Sequence, residues 1–341
     1  MSLKKVLLVI ICFIFILGLV ACGNKTNEVK SSSGGEKAGK TESITLRLAD
    51  NQADDYSTVI GDKEFARLVK ERTNGRINIV VYSGGKLGDE KTVIEQIQLG
   101  AIDFARVHAA PLTSFDKHLD VLNLPFLFSS TEHAWKVFNG PIGKQLLDTL
   151  KESKMVGLAY YGTYGRSFYN SKRPVEHPSD LKGMKIRVQQ SDIYIDLVKV
   201  LGGSPVPMAY GEVYNALQTG VVDGAENDFP SYYTSNHYKV AKYYTEDRHS
   251  LTPSILLASL VTWNKLSPAD QEIILQAARE SQDSQWKAET EMDNKARKAV
   301  TENGNTIIKV NMSEWQEAVK PLYDKYGQDS KDLIEKIRAL Q

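Results

Sequence analysis

The sequence predicts an α/β protein with two lobes, a hinge between them and one long helix that braces both. Three observations support this class. Apolar residues from 44 to 107 follow the order strand, helix, strand, helix, strand, which is typical of a doubly wound, largely parallel sheet. A second series of strands and helices begins near residue 155. A charged stretch with helical periodicity then follows Pro268.

The spacing of apolar residues predicts the elements of the first lobe. Alternation with period 2 indicates a strand, and recurrence every three to four residues indicates a helix. Glycine adopts the left-handed conformation that ends many helices. The predicted elements are a strand from Ile44, a helix after Asp62 that ends near Gly75, a strand at 77–82, a helix at 90–99 ended by Gly100, and a strand at 101–107.

The second lobe follows the same logic and leads into the long helix. Strands are predicted at 155–161 and 185–188, and helices at 192–201 and 210–218. The helical stretch from 268 to about 302 would be roughly 50 Å long. That length exceeds what one lobe requires, so we expect the helix to contact both lobes.

Residues 1–21 have the pattern of a bacterial signal peptide. Two lysines precede an uncharged apolar run of about 15 residues from 6 to 20, shorter than the roughly 20 that a membrane-spanning helix needs. Small residues then precede Cys22, as in a lipobox, where the peptide is cleaved and the cysteine is acylated. Residues 22–42 are polar and indicate a flexible linker. The sequence therefore predicts an extracytoplasmic protein, lipid-anchored to the outer face of the cell membrane.

The linker contains a motif that matches a phosphate-binding loop. Gly34, Gly39, Lys40 and Thr41 stand at the fixed positions of G-x-x-x-x-G-K-[ST]. Such a loop needs a buried strand before it and a helix after it, so that its amides converge on the anion. Here a polar tail precedes the motif and a strand-like segment follows it. A nucleotide-dependent protein is therefore disfavoured; it would lose nucleotide binding if residues 24–42 were deleted.

Composition and motifs argue against several other classes. The 42 basic and 42 acidic residues balance, which argues against a nucleic-acid partner. Cys12 lies in the predicted signal peptide and Cys22 would carry lipid, so we expect no disulfide. The six histidines stand singly, without metal-ligand spacing, and no serine-hydrolase, metallopeptidase or dithiol motif is present. No catalytic residue, metal site or cofactor is predicted, and an enzyme is disfavoured.

Several ordered phrases give the sequence a specific resemblance. They are Leu87-Gly88-Asp89-Glu90, Gly100-Ala101-Ile102-Asp103-Phe104, Leu122-Asn123-Leu124-Pro125-Phe126, the segment 180–189 that contains Leu181-Lys182-Gly183-Met184-Lys185-Ile186-Arg187, the segment 202–214, and Ala216-Leu217-Gln218-Thr219-Gly220 with its continuation to Asn227. From about residue 44 to 341, the chain resembles the solute-binding subunit of TRAP (tripartite ATP-independent periplasmic) transporters, the DctP-type family.

The resemblance implies a periplasmic-binding-protein-like fold of class II type. The lobes would comprise residues 43–164 with 253–292 (lobe I) and residues 165–252 with 293–341 (lobe II). It also implies that the ligand is a small organic acid and that the partners are the membrane permease subunits of the transporter.

The resemblance assigns a carboxylate clamp to Arg187. In that family the arginine after the L-K-G-x-K phrase forms a two-pronged salt bridge with the ligand, and a planar guanidinium matches both carboxylate oxygens. A second ligand-contacting arginine corresponds to Arg166, and an amide that helps to position the carboxylate corresponds to Asn227.

The remaining site residues are expected to determine which acid binds. The resemblance implies that Glu90 and His108 contact the hydroxyl-bearing part of the ligand and that Tyr210 and His249 face the cleft, although Tyr210 could equally belong to the core. Gln189 follows from strand geometry, because a residue two positions beyond Arg187 points to the same face.

Local phrases favour a sugar acid such as a uronate as the ligand. The segments 165–169 and 226–233 are similar to those of glucuronate and galacturonate receptors. A C4-dicarboxylate receptor of the same family is the alternative. Outside the family, a secreted α/β enzyme acting on a sugar acid would use Glu90 and His108 as an acid-base pair.

Overall fold

Two β-sheets organise the protein. The computed structural model describes residues 43–162 and 164–341, so the predicted signal peptide, Cys22, the linker and the motif at Lys40 lie outside the described residues. The strands are β1 (Ile44–Ala49), β2 (Ile77–Tyr82), β3 (Phe104–His108), β4 (Met155–Tyr161), β5 (Arg166–Asn170), β6 (Lys185–Val188), β7 (Ser204–Pro207), β8 (Gly224–Asn227), β9 (Tyr243–Ser250), β10 (Ser254–Ser259) and β11 (Thr306–Lys309).

The first sheet has the order β2-β1-β3-β10-β4. Strand β1 pairs in parallel with β2 and β3, as the alternation of strands and helices predicts. Strand β10 is antiparallel to both of its neighbours, because it enters from the second half of the chain. The sheet is therefore mostly parallel, with one reversed strand inside it.

The second sheet has the order β11-β9-β5-β8-β6-β7. The chain passes from the first sheet to the second between β4 and β5, returns between β9 and β10, and reaches β11 after a long helix. Strands β5, β8 and β9 pair antiparallel, whereas β6 pairs in parallel with β7 and β8. The strands thus group as the predicted lobes do, while the exact lobe limits stay a prediction.

Helices surround both sheets. Within the described residues no helix combines the length and apolarity needed to cross a bilayer. The helices are α1 (Ser57–Arg72), α2 (Glu90–Leu99), α3 (Ala109–Leu112), α4 (Thr131–Phe138), α5 (Pro141–Thr149), α6 (Asp192–Val200), α7 (Val213–Thr219), α8 (Phe229–Thr234), α9 (His237–Val240), α10 (Leu260–Trp263), α11 (Pro268–Glu302), α12 (Met312–Ala318), α13 (Lys320–Tyr326) and α14 (Lys331–Arg338), with 3₁₀ turns at Lys117–Asn123, Pro178–Leu181, Tyr210–Glu212 and Gln328–Ser330.

Helix α1 begins earlier than the apolar pattern predicts. Its first turn buries Ser57 and Thr58, whose hydroxyl groups donate to Glu289 and Asp50 at 2.5 and 2.8 Å. Polar side chains that are buried by specific partners carry no apolar signal. The same holds for the predicted helix at 210–218, which begins as a 3₁₀ turn before α7.

Helix α11 contacts both halves of the molecule, as its length predicts. Ser267 caps its start by accepting a hydrogen bond from the Asp270 amide. Farther along, the Gln282 amide donates to the Tyr160 carbonyl in β4, and Arg297 donates to Glu246 in β9.

The packing of α11 explains why one helix serves both sheets. Its first half buries Ala277 and Ala278 in the core beneath the first sheet. Its second half buries Ala296 and Val300 in the core of the second sheet. One continuous helix therefore ties two hydrophobic cores together.

Gly61 allows α1 and α11 to approach closely, and its substitution tests that packing. A Cβ at this position would lie 2.8 Å from Gln285 Cβ and 2.9 Å from the Tyr161 ring. An exposed helical Gly→Ala change gains up to about 1 kcal/mol, but overpacking costs about 1–3 kcal/mol. We expect Gly61→Ala to lower the free energy of unfolding in urea titrations. Gly211→Ala, where a Cβ meets no atom within 4 Å, is the control; equal stabilities would contradict the prediction.

Candidate functional site

A small pocket lies where the two sheets face each other. Its space is about 250 Å³ including its opening. The lining residues follow strand ends or lie next to them, which is where ligands bind in open α/β sheets. The first sheet and its connections contribute Asn51, Asp89, Glu90 and Pro111, and the second contributes Arg187, Gln189, Gln190, Met208, Ala209 and Tyr210.

Arg187 is a buried cation without a carboxylate partner. It is 3% exposed, and its Nε and Nη2 donate to the Met208 carbonyl at 3.0 and 2.7 Å. No carboxylate among the described residues lies within salt-bridge distance of it. Burial lowers the pKa of the guanidinium below its ordinary value, the direction expected for an unpaired buried cation. The side chain is held in place and still lacks an anion.

Gln189 adds an unsatisfied polar group to the same pocket. The side chain is 5% exposed, and within the described residues its Oε1 has no hydrogen-bond partner. A buried polar atom without a partner costs about 1–3 kcal/mol. A ligand that donates a hydrogen bond would remove that cost.

Tyr210 lies beside Arg187 and also packs against the core of the second sheet. Its ring centroid is 5.9 Å from the guanidinium carbon, within cation–π range. Its hydroxyl group is hydrogen-bonded to Ser235, so the ring is fixed against the pocket wall.

Glu90 and His108 form a pair at the first-sheet side of the pocket. Glu90 begins α2, and its Oε1 accepts from the His108 backbone amide at 2.8 Å and lies 2.9 Å from His108 Nδ1. Burial would raise the pKa of Glu90, but His108 and Arg106 lower it to about 2. Glu90 is therefore an ionised carboxylate across the physiological pH range.

Arg106, which the sequence analysis does not single out, holds the Glu90–His108 pair in position. It is buried in β3 and binds Asp50 through Nε at 2.9 Å and through Nη2. Its Nη2 also donates to Asn51 Oδ1 at 2.8 Å, and its Nη1 lies 3.4 Å from Glu90. A charged residue inside an otherwise apolar strand was the available signal for this role.

Arg166 and Asn227 meet beneath the pocket but do not line it. The Arg166 guanidinium forms a bidentate pair with Glu226, with Nε–Oε2 at 2.5 Å and Nη2–Oε1 at 2.9 Å. Its Nη1 donates to Asn227 Oδ1 at 2.7 Å. The Asn227 Nδ2 group has no partner among the described residues, so it is the part of this assembly that can still donate.

His249 lies behind this assembly, not at the pocket wall. It is fully buried; its Nδ1 is 2.8 Å from Asp247 Oδ2, and its Nε2 is 3.5 Å from Glu226 Oε2. Burial opposes the charged ring, but Asp247 and Glu226 raise the pKa of His249 to about 9. The cleft-facing position expected for His249 is thus not where the ring lies: the imidazolium completes a buried chain of alternating charges.

Of the eight predicted site residues, four line the pocket. They are Glu90, Arg187, Gln189 and Tyr210. The other four do not line it. His108 contacts Glu90, Arg166 contacts Asn227, and His249 contacts Glu226, the carboxylate partner of Arg166. Sequence reasoning missed Asn51, Arg106, Glu226 and Asp247 as members of the site. The first three depend on partners 55 to 60 residues away, whereas Asp247 pairs with His249 two residues along the same strand.

The donor set suits an anion better than a metal. No group of three or more His, Cys, Asp or Glu side chains in the described part of the chain could hold a metal ion. A larger surface groove near Leu147, Trp263 and Arg279 contains none of the buried charged side chains described above. The pocket between the sheets is therefore the candidate ligand site.

The raised pKa of His249 predicts a specific pH dependence of stability. A group whose pKa rises on folding, here from 6.5 to about 9, stabilises the protein fully below pH 6.5 and loses that effect as pH rises through 9. We expect the wild type to lose about 3 kcal/mol relative to His249→Gln between those pH values. Urea titrations at pH 6, 7.5 and 9 measure the difference, and parallel profiles would refute the buried imidazolium.

Comparison with known proteins places the chain in a family. The model of the DctP family, described as bacterial extracellular solute-binding protein, family 7, matches residues 48–329. A solute-binding protein of Chromohalobacter salexigens is 37% identical over 280 residues, covering 82% of this chain and 83% of the relative.

Solved structures agree with this placement. A TRAP periplasmic solute-binding protein from Bradyrhizobium, in complex with α/β-D-galacturonate, is 41% identical with a TM-score of 0.85, covering 87% of this chain and 100% of that one. Another from Pseudomonas putida F1, with bound D-glucuronate, is 35% identical with a TM-score of 0.86, covering 87% and 98%. The predicted two-lobed α/β fold is confirmed, and the chain belongs to the DctP family of TRAP solute-binding proteins.

Proposed function

We propose that this protein is the extracytoplasmic receptor of a TRAP transporter, that it captures a uronate by its carboxylate, and that it delivers the uronate to the membrane permease. The observation that carries the proposal is Arg187, a buried and oriented guanidinium without an anion. The galacturonate and glucuronate bound to the similar Bradyrhizobium and Pseudomonas proteins support the choice of ligand.

The donors around Arg187 suit one carboxylate. Two of the guanidinium nitrogens are oriented by Met208, which leaves Nη1 and the second proton of Nη2 to face the pocket. The Asn227 amide is a further donor held by Arg166. We propose that Arg166 acts by positioning Asn227, because Glu226 already neutralises its charge.

Ligand binding would favour a closed arrangement of the two lobes, which we place at 43–164 with 253–292 and at 165–252 with 293–341. A ligand that contacts Glu90 and Arg187 together stabilises the closed state more than the open one. Direct contacts already bridge the sheets: the Tyr56 hydroxyl lies 3.0 Å from Ser231 Oγ, and Thr113 Oγ1 lies 3.2 Å from Ser191 Oγ.

A receptor explains the site better than a secreted enzyme does. An acid-base pair of Glu90 and His108 would need a carboxylate that takes up protons near neutral pH. The pKa of Glu90 is lowered to about 2, so it is a poor proton acceptor there. We propose that the protein performs no chemical step on its ligand.

The predicted lipid anchor completes the proposal. Acylation of Cys22 would hold the protein at the membrane, and the polar residues 22–42 would let the body move above it. A coil of this length reaches roughly 25 Å. The receptor would thereby stay near its permease.

Arg187→Ala tests the carboxylate clamp. Loss of a charge-assisted hydrogen bond costs about 1.5–3 kcal/mol, so we expect calorimetry with D-galacturonate to give a Kd about 10- to 100-fold higher. Arg187→Lys keeps the charge without the planar fork, so its Kd should lie between those of the wild type and Arg187→Ala. Exposed Arg67→Ala is the control. Unchanged affinity in a folded Arg187→Ala protein would rule out the clamp.

A ligand panel tests the substrate class. We expect D-glucuronate or D-galacturonate to bind one to one, and a ligand at 100 times its Kd to stabilise the fold by about 2.7 kcal/mol in thermal unfolding. Succinate should bind more weakly. Tight binding of succinate with no binding of either uronate would support the C4-dicarboxylate alternative instead.

A further inference from the structure

On the first-sheet side of the pocket, the described residues place more carboxylates than guanidinium groups. Asp89 and Glu90 both line it. Arg106 is the guanidinium that contacts Glu90, and its three nitrogens also contact Asp50, Asn51 and His108. Asp50 forms the closer pair with Arg106, and Glu90 shares the same guanidinium through a longer contact of 3.4 Å. One guanidinium therefore faces three carboxylates, those of Asp50, Glu90 and Asp89.

The hydrogen-bonding atoms on this side suit a hydroxyl group. Glu90 Oε1 is used by His108 and Arg106, whereas Oε2 has no partner among the described residues. Arg106 has only donors, so Asn51 must turn its oxygen toward the guanidinium and leave its amide hydrogens to the pocket. A hydroxyl group can donate to Glu90 and accept from Asn51, while a carboxylate can only accept.

The second-sheet side of the pocket differs from the first-sheet side in both its charge and its hydrogen-bonding atoms. It offers the unpaired Arg187 and the buried, unpartnered oxygen of Gln189. A ligand across this pocket therefore meets a cation at one end and fixed carboxylates at the other.

We infer that the pocket admits one carboxylate only, at Arg187, and that Glu90 and Asp89 reject a second one while Glu90 and Asn51 bind hydroxyl groups. This inference rests on the proposed function and narrows it to hydroxylated monoacids. Like charges in a pocket shielded from water repel far more strongly than in bulk solvent. Diacids with the same carbon chain are thereby excluded.

A matched pair of ligands tests the inference. D-glucarate carries the carbon chain of D-glucuronate with a second carboxylate at the other end. We expect calorimetry to show wild-type protein binding D-glucuronate at least about 100-fold more tightly than D-glucarate. Glu90→Gln keeps the shape and removes the charge, so this ratio should fall at least about tenfold. Asp89→Asn preserves the helix cap and should also lower this affinity ratio. It replaces Glu90→Gln as the test variant if Glu90→Gln does not fold.

The outcomes separate the inference from the proposed function. Glu95→Gln, an exposed site on the same helix, should leave the ratio unchanged. Absence of binding of both D-glucuronate and D-galacturonate to the wild type would overturn the proposed function itself. Normal D-glucuronate binding with equally tight D-glucarate binding would overturn only the inference. A ratio that stays high in both Glu90→Gln and Asp89→Asn would show that shape, not charge, excludes the diacid, and would overturn it too.

Discussion

The electrostatic requirement of Arg187 governs the rest of the site. Removing a guanidinium from water costs several kcal/mol unless an opposite charge and hydrogen bonds compensate. Here the Met208 carbonyl and the Tyr210 ring orient the fork without neutralising it. In the proposed function the ligand carboxylate supplies this opposite charge, which would relieve the cost of burying Arg187.

The three buried arginines around the pocket differ in their partners. Arg106 and Arg166 are each held by a carboxylate, Asp50 and Glu226 respectively. These pairs orient neighbouring polar side chains. Arg106 turns the Asn51 amide and supports Glu90, and Arg166 turns the Asn227 amide. Only the third arginine, Arg187, is left open for the ligand.

The path of the chain places these groups on opposite walls. Strands β4 and β5 belong to different sheets, as do β9 and β10, so the connections between them join the two halves. Helix α11 buries one end in each core. The two halves are thus already linked by the backbone and by this helix. A ligand that contacts both halves would need only a few contacts to favour their closed arrangement.

Apolar periodicity explains which helices and strands could be predicted from the sequence and which could not. The regular elements β1, β2, β3, α2 and α11 lie where apolar spacing predicts them, because each buries one apolar face. The start of α1 was predicted too late, since Ser57 and Thr58 are buried by polar partners. Likewise, strand alternation placed Gln189 beside Arg187, but no local pattern indicated that Arg106 pairs with Asp50 or that His249 lies next to Glu226.

The sequence by itself determined the fold class and the family, and it singled out Arg187 as the predicted carboxylate clamp. Only the tertiary structure decided which buried cations are already neutralised. The physical reason is distance along the chain: Arg106 meets Asp50 across 56 residues, and Arg166 meets Glu226 across 60. Such pairs form when strands are brought side by side in a sheet. Among the buried arginines of the described residues, Arg187 is the one left without a carboxylate partner, and that follows from all of these pairs together.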